Sequence, residues 1–500
     1  MLLTLLILIP IVGAIIIFAM PSSAAGAIKW LALIISLVVF GVSLPLYFGF
    51  EAALNPQTGY HFEEIRNWIP SLGEGFDPIR YHIGIDGLSL WLVLLTTFLT
   101  FISVLSSWTA IEDSIKEYMA LMLLLEAAVI GVFVSLDLFL YYLFWEASLI
   151  PMALLVGRWG GKRRIYAALK FFLYTMAGSA LMLVGAIYLY GVSGTSDLPT
   201  LTATLDLPVQ AQLLLFFAFA LAFSVKVPLF PLHTWLPAAH VEAPTAGSIM
   251  LAGVLLKLGT YSYLRFAIPL FPDAVPFWGP ILATLGVVGI IYGALVALVQ
   301  EDVKSLVAYS SVAHMGFIVL GIFMGGQQGM SGAVLQMINH GLSTGMLFFM
   351  VGVLYEQRHT RLFTEYGGIW VKVPVFGTFF LLAVFASVGL PGLNGFVGEF
   401  IILMGTFRIN WLAAAFGTFG IVLAAWYLLT ATRKLMFGPF NEKNANLKDM
   451  NGRELGIAVA FIALCFLIGL FPDIFFAKIN PATEQLAQIL NTSATLLAGQ

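Results

Sequence analysis

Two lysines and two glutamates lie in apolar runs long enough to cross a bilayer. Lys226 interrupts the run from Leu213 to Pro231, Lys257 the run from Ile249 to Tyr263, and Glu146 the run from Leu138 to Val156. Glu399 follows a Gly/Pro-broken stretch from Val384 to Leu403. An ionisable group at membrane depth costs at least about 3 kcal/mol on insertion scales, so its default meaning is ion or proton traffic. Groups of both signs in one chain strengthen that meaning. The chain is expected to move protons or cations through a membrane.

Lys226 is the sharpest candidate, because a buried lysine beside a carboxylate can change its protonation as the carboxylate moves. Arginine stays charged and could not do this. Glu146, also near mid-span, is the expected partner. The bland alternatives are an ion pair that only joins two helices, or a lysine snorkelling to the interface. Lys257, between Gly253 and Gly259, reads as a second carrier unless it merely pairs with Glu242 or Glu126. Glu126 itself is a relay member or a helix-pairing group. His314 and His340 lie in consecutive spans, where imidazole, serine and water can pass protons. Satisfied structural histidines, or bis-His ligation of a haem, compete with that reading. His233, His240 and Glu242 crowd the stretch from Pro231 to Pro244. No thiol or third imidazole is local, so a cytoplasmic proton-uptake loop, or a break between spans, is expected there rather than a metal site.

These residues need helices to hold them. The 500 residues are 60% hydrophobic and only 10% charged, with mean hydropathy +0.97. That composition is far from the ~25% charged of a soluble domain. A net charge of −3 argues against nucleic acid as a partner. The single cysteine, Cys465, excludes a disulfide framework and any cluster ligated by this chain's cysteines alone. No glycine-rich phosphate loop or dinucleotide fingerprint appears.

Apolar stretches of the required length make an all-α polytopic membrane protein of about 14 spans, two of them broken. They begin near Leu2, Ile28, Ile85, Tyr118, Leu138, Ile165, Gln210, Thr245, Trp278, Val303, Gly332, Val373, Trp411 and Leu455. The first run, from Met1 to Met20, has no basic region before it and reads as a helix rather than a removed signal. Arg158, Lys162, Arg163 and Arg164 fill one loop, and loops of the same parity carry Lys304, Arg358, Arg361, Lys372, Arg433 and Lys434. Opposite loops carry few basic residues. The positive-inside rule then puts the basic loops in the cytoplasm, both termini outside, and the segment from Glu51 to His82 in an external loop.

A Pro-interrupted stretch at Lys226-Val227-Pro228-Leu229-Phe230-Pro231 has a counterpart in Gly389-Leu390-Pro391-Gly392. The neighbouring charges differ in position by 399 − 226 = 173. They fall in the seventh and twelfth spans, an odd offset of five, which suggests inverted halves with a transport site at each break. The expected division is 1–116, N-terminal helices with an external loop; 117–270 and 271–435, two inverted half-channels; and 436–500, a cytoplasmic loop and a C-terminal helix.

The chain resembles the antiporter-like membrane subunits of NADH-quinone oxidoreductase (respiratory complex I), with the bacterial M-type branch nearest. The motifs that carry the resemblance are Phe144-Trp145-Glu146, Lys226-Val227-Pro228, His233-Thr234-Trp235-Leu236-Pro237, His240-Val241-Glu242-Ala243-Pro244-Thr245-Ala246-Gly247-Ser248, Leu255-Leu256-Lys257, Tyr309-Ser310-Ser311, His314-Met315-Gly316, His340-Gly341-Leu342-Ser343 and Gly395-Phe396-Val397-Gly398-Glu399-Phe400. The resemblance implies proton translocation through Glu146, Lys226, Lys257, His314, His340 and Glu399, with Glu126, His233, His240 and Glu242 as further relay candidates. It implies no cofactor in this chain, since NADH, FMN, iron–sulfur clusters and quinone belong to other subunits. It also implies other membrane-arm subunits as partners and the bacterial cytoplasmic membrane as the location. Glutamate at 399 and a chain ending soon after its last span favour the M-type over the L-type branch. Ala238 departs from the aspartate common at that place. Subunits of multisubunit Na+/H+ antiporters share the fold and much of the motif set, and form the alternative.

Overall fold

In a bilayer interior the backbone must satisfy its own hydrogen bonds, so uninterrupted apolar runs fold as helices. The computed structural model describes residues 1–498 and bears this out. Among the described residues, twelve helices are long and apolar enough to cross a membrane. Two spans are built from shorter pieces, the one from Val373 at the expected break and the one from Thr245 unexpectedly. The span from Thr245 runs as Thr245–Met250, a π-helical Leu251–Leu255, Leu256–Ser262, a second π segment Tyr263–Ala267, and Ile268–Leu270. The span from Val373 splits into Pro374–Val388 and Asn394–Ile409. Between them Gly389 and Gly392 take φ of +82° and +92°, a conformation open to glycine but strained for other residues. Val209–Lys226 also stops at its lysine, and the chain resumes helix at Trp235–Glu242. Pro228 and Pro231 lack the N–H groups that would carry a helix across this gap.

Gly326–Arg358, 33 residues long, is the axis of the bundle, and Met330 to Leu354 is buried without interruption. Ile115–Val134 and Val303–Met324 are nearly as enclosed. Leu2–Ala19, Arg164–Ser193 and Trp411–Met436 lie outside and expose Ile15, Leu169 and Trp426, as lipid-facing helices should.

Two features depart from the expectations. The segment expected as an external loop contains an antiparallel hairpin, His61–Ile69 with Ile79–Ile85. After the last span, Gly452–Leu470, a further helix Asp473–Ala498 lies at the hairpin end of the bundle, packed on Gly326–Arg358 and on the turn Pro272–Ala274. Thr483 on it meets Ser331 Oγ at 2.7 Å, and Lys478 pairs with Glu51 at 2.6 Å.

Two small knots of backbone share one pattern. In the first, Leu138 N donates to Ser196 O at 3.0 Å and Leu198 N to Leu136 O at 2.8 Å. In the second, Val303 N donates to Arg361 O and Phe363 N to Glu301 O, both at 3.0 Å. Asp137 caps the helix Leu138–Trp159, and Asp302 caps Val303–Met324. The corresponding positions differ by a constant 165 (302 − 137, 361 − 196 and 363 − 198). The first knot adjoins the hairpin, where Leu136 N donates to His82 O. The second adjoins the basic loops, where Arg361 pairs with Asp302 at 3.1 Å.

Candidate functional site

The buried polar groups fall into two sets along the bundle. In the first, Lys226 ends its helix at the Pro break and is 1% exposed. Its Nζ has no hydrogen-bond partner among the described residues. It lies instead 5.3 Å from the ring centre of Trp145 and 5.6 Å from that of Phe171. The field of Glu146 reaches it, but Glu146 itself accepts a hydrogen bond from Ser179 Oγ. The expected Glu146–Lys226 partnership therefore acts through space, with the aromatic rings beside the ammonium, and is not a hydrogen-bonded pair. This is an arrangement in which a charge can switch, since no local bond locks it.

The second set is continuous. Lys257 is fully buried between the two π segments, and its Nζ donates to Ala252 O and reaches His340 Nδ1 at 2.6 Å. The Glu242 or Glu126 pairing considered for it does not occur. The rings of His340 and His314 stand 5.9 Å apart, centre to centre, tilted by 54°, and each leaves Nε2 without a hydrogen-bond partner. His314 Nδ1 bonds Glu399 Oε1 at 2.7 Å. Lysine, two imidazoles and a carboxylate from four different helical segments thus form one row.

Glu399 has further support that the sequence reading assigned to no residue. Gln336 Nε2 donates to its Oε1 at 3.0 Å. Asn339 Nδ2 donates to Gln336 Oε1 at 3.1 Å and to Asn394 O at 2.8 Å, while Asn394 Nδ2 returns to Asn339 O at 3.1 Å. Gln336 lies one turn before His340 on the same helix, and that spacing of polar residues was a signal available in the sequence. Gly398 is needed for this packing: a Cβ there would come within 2.2 Å of Gln336 Oε1. On its other side Glu399 lines a groove of about 610 Å³ with Phe396, Phe400, Phe407 and Trp411.

The remaining candidates are dispersed. Glu126 is fully buried, with the Thr100 hydroxyl as its polar neighbour. His240 is fully buried, stacks on Phe348 with ring centres 4.5 Å apart, and has neither ring nitrogen bonded. His233 packs against Phe230 and Tyr292. Glu242 is only half-buried and accepts from Arg163 N at 2.8 Å, tying the basic loop to the Pro-rich turn. The same turn is held by Lys304, whose Nζ donates to Ala243 O at 2.5 Å, and by Arg361, which donates to Val241 O at 2.6 Å. Among the described residues no cluster of three or more His, Cys, Asp or Glu is arranged to hold a metal ion.

On the hairpin side, His82 is clasped by two carboxylates, Asp197 at 2.5 Å on Nδ1 and Glu63 at 2.7 Å on Nε2. Burial opposes its charge, but the hydrogen bonds and fields of Asp197 and Glu63 outweigh burial and hold His82 above the ordinary histidine value.

Residues 135–470 match the family described as NADH:quinone oxidoreductase/Mrp antiporter, TM. NADH-quinone oxidoreductase subunit M of Rhodobacter capsulatus is 47% identical over 483 residues, covering 94% of this chain and 92% of the relative. NADH-ubiquinone oxidoreductase chain 4 of Marchantia polymorpha is 43% identical over 486 residues, covering 97% and 96%. A chain of respiratory complex I from Thermus thermophilus with bound NADH superposes with a TM-score of 0.88 at 32% identity, covering 98% of this chain and all of that one. The Mrp complex from a Dietzia species shares the fold, with a TM-score of 0.82 at 23% identity over 99% of this chain and 56% of its own. Together with the buried charges and the broken helices, these likenesses mean that the chain is an integral membrane protein and belongs to the NADH:quinone oxidoreductase/Mrp antiporter family of transmembrane subunits.

Proposed function

We propose that this protein is a proton-translocating membrane-arm subunit of an NADH-quinone oxidoreductase. Electrons pass from NADH to quinone in partner subunits that hold the flavin and iron–sulfur clusters, and this chain moves protons in response. The observation that carries the reading is the buried row Lys257–His340–His314–Glu399, hydrogen-bonded at both ends. A proton taken up near His240 loads the Lys257–His340 pair. It crosses to His314 by ring rotation or through one water, and leaves by way of Glu399. Lys226 and Glu146 act as the adjustable charge: when Glu146 moves closer, the ammonium form of Lys226 is favoured, and repulsion drives the proton on Lys257 onward. Glu126 and His233 are relay candidates on the same reading, and Glu242 serves by holding the uptake turn.

Two inverted half-channels, 117–270 and 271–435, are part of this proposal. The constant 165-residue offset between the two backbone knots supports it, since one knot lies by the hairpin and its counterpart by the basic loops. The basic loops then face the cytoplasm of a bacterial cell and both termini face outside. Neighbouring membrane-arm subunits and the lipid bilayer are its partners.

The test is purification of the tagged chain from its native membranes in mild detergent. Co-purification with NADH:quinone oxidoreductase activity, and loss of NADH-driven proton pumping when the chain is deleted, is the expected result. Co-purification with a Na+/H+-exchanging assembly that does not oxidise NADH would overturn it in favour of the antiporter alternative.

A further inference from the structure

We infer that Arg265 and Asp86 form a positioning pair that keeps Lys257 turned toward His340. The inference rests on the reading of Lys257 as a proton carrier and concerns how that carrier is aimed. Lys257 lies on a helix with a π segment on each side, Leu251–Leu255 and Tyr263–Ala267. A π turn takes in an extra residue, and successive residues of an α-helix are about 100° apart around the axis. Lys257 is therefore out of phase with where a regular helix from Thr245 would place it. The inner π segment supplies Ala252 O, and that carbonyl accepts from Lys257 Nζ. The outer π segment carries Arg265.

Arg265 is 5% exposed and uses its whole fork. One Nη bonds Asp86 Oδ1, Nε donates to Tyr261 OH at 2.9 Å, and the other Nη donates to Tyr60 OH at 3.1 Å. Asp86 follows the strand Ile79–Ile85 and accepts from Leu88 N at 2.9 Å, so it is fixed to the hairpin side of the molecule. Tyr261 OH donates onward to Phe133 O at 2.8 Å. The outer end of the Lys257 helix cannot rotate while this fork is closed. With both ends held, neither π turn can relax to α-helix, because losing its extra residue would turn one end of the helix by about 100° against the other. With the fork open, the inner π segment can relax, and everything after it, Lys257 included, turns by about 100° away from His340. The charge of Lys257 reaches His340 and His240, so this turn changes the electrostatic surroundings of both histidines as well as the contact.

The experiment uses the intact complex in proteoliposomes and reads protons pumped per NADH oxidised, the pH profile of that ratio, and the KM for quinone. Asp86→Asn should assemble, keep the quinone KM, lower the pumping ratio several-fold and shift its pH profile. Tyr60→Phe, which removes a single bond of the fork, should give a smaller shift in the same direction. The swap Asp86→Arg with Arg265→Asp should restore at least half of the ratio. Because the pair acts through Lys257, adding Asp86→Asn to Lys257→Arg should cost less than twofold more. Wild-type ratio and pH profile in both Asp86→Asn and Tyr60→Phe would overturn the inference, as would losses that multiply with Lys257→Arg. A Lys257→Met complex that pumps normally would instead overturn the carrier reading beneath it.

Discussion

Replacing Lys226 with methionine separates a carrier from a structural cation by its effect on stability. Methionine keeps the length and flexibility of the side chain and removes only the ammonium. That ammonium is 1% exposed and has no hydrogen-bond partner among the described residues. An uncompensated buried polar group costs about 1–3 kcal/mol, and more when charged. The faces of Trp145 and Phe171, both within 6 Å, return about 2 kcal/mol. The balance is a fold changed by no more than about 1 kcal/mol in either direction for a neutral amine, about fivefold in the unfolding equilibrium, and stabilised by more for a charged one. Had Lys226 been half of a structural ion pair, its removal would instead cost about 3–5 kcal/mol. The assay pairs thermal unfolding of the purified complex with NADH-driven proton pumping in proteoliposomes. The expected Lys226→Met complex is no more than about 1 kcal/mol less stable than the native one and pumps little or nothing. Destabilisation of about 3 kcal/mol or more, or pumping at the native ratio, would refute the reasoning.

Glu399→Gln keeps both bonds to His314 and Gln336 but removes the titrating group, so it should assemble normally and pump poorly, whereas Glu399→Asp should retain part of the activity; full pumping by the glutamine variant would leave Glu399 a packing residue. Gly398→Ala places a Cβ against Gln336 and Asn339 and should push Gln336 off Glu399. Losing a hydrogen bond to a charged group is worth about 1.5–3 kcal/mol, so pumping should fall at least about tenfold while the subunit still assembles. His82 is held above its ordinary value, so its contribution to stability is complete below about pH 6.5 and is lost as pH rises through the raised value. Hydrogen exchange of the hairpin amides should speed up, beyond the intrinsic pH effect, in that upper range. Glu63→Gln, whose amide can donate to a neutral imidazole, should flatten the dependence. A reduced-minus-oxidised spectrum of the purified chain should show no stoichiometric haem, and a band lost on His314→Ala would reverse the relay assignment.

The sequence by itself determined the class of the molecule and the places where chemistry is buried. Hydropathy adds up residue by residue along the chain, so apolar runs and the charges inside them, Glu146, Lys226, Lys257 and Glu399, were legible without any contact information. The breaks beside Pro228 and at Gly389 to Gly392 were legible for the same local reason, a missing N–H or a glycine backbone. The π segments around Lys257 were not, because nothing local distinguishes them from a continuous helix. The hairpin at His61–Ile69 was hidden because Phe62, Ile65 and Trp68 recur every third residue, so the alternation that marks a strand is missing. Only the tertiary structure decided who meets whom. Glu146 found Ser179 rather than Lys226, and Lys226 found Trp145 and Phe171. His314 found a carboxylate 85 positions away, and Lys257 an imidazole 83 positions away. Which faces of two helices touch depends on the packing of all the residues between them, and that information is spread over the whole chain rather than written beside the residues that use it.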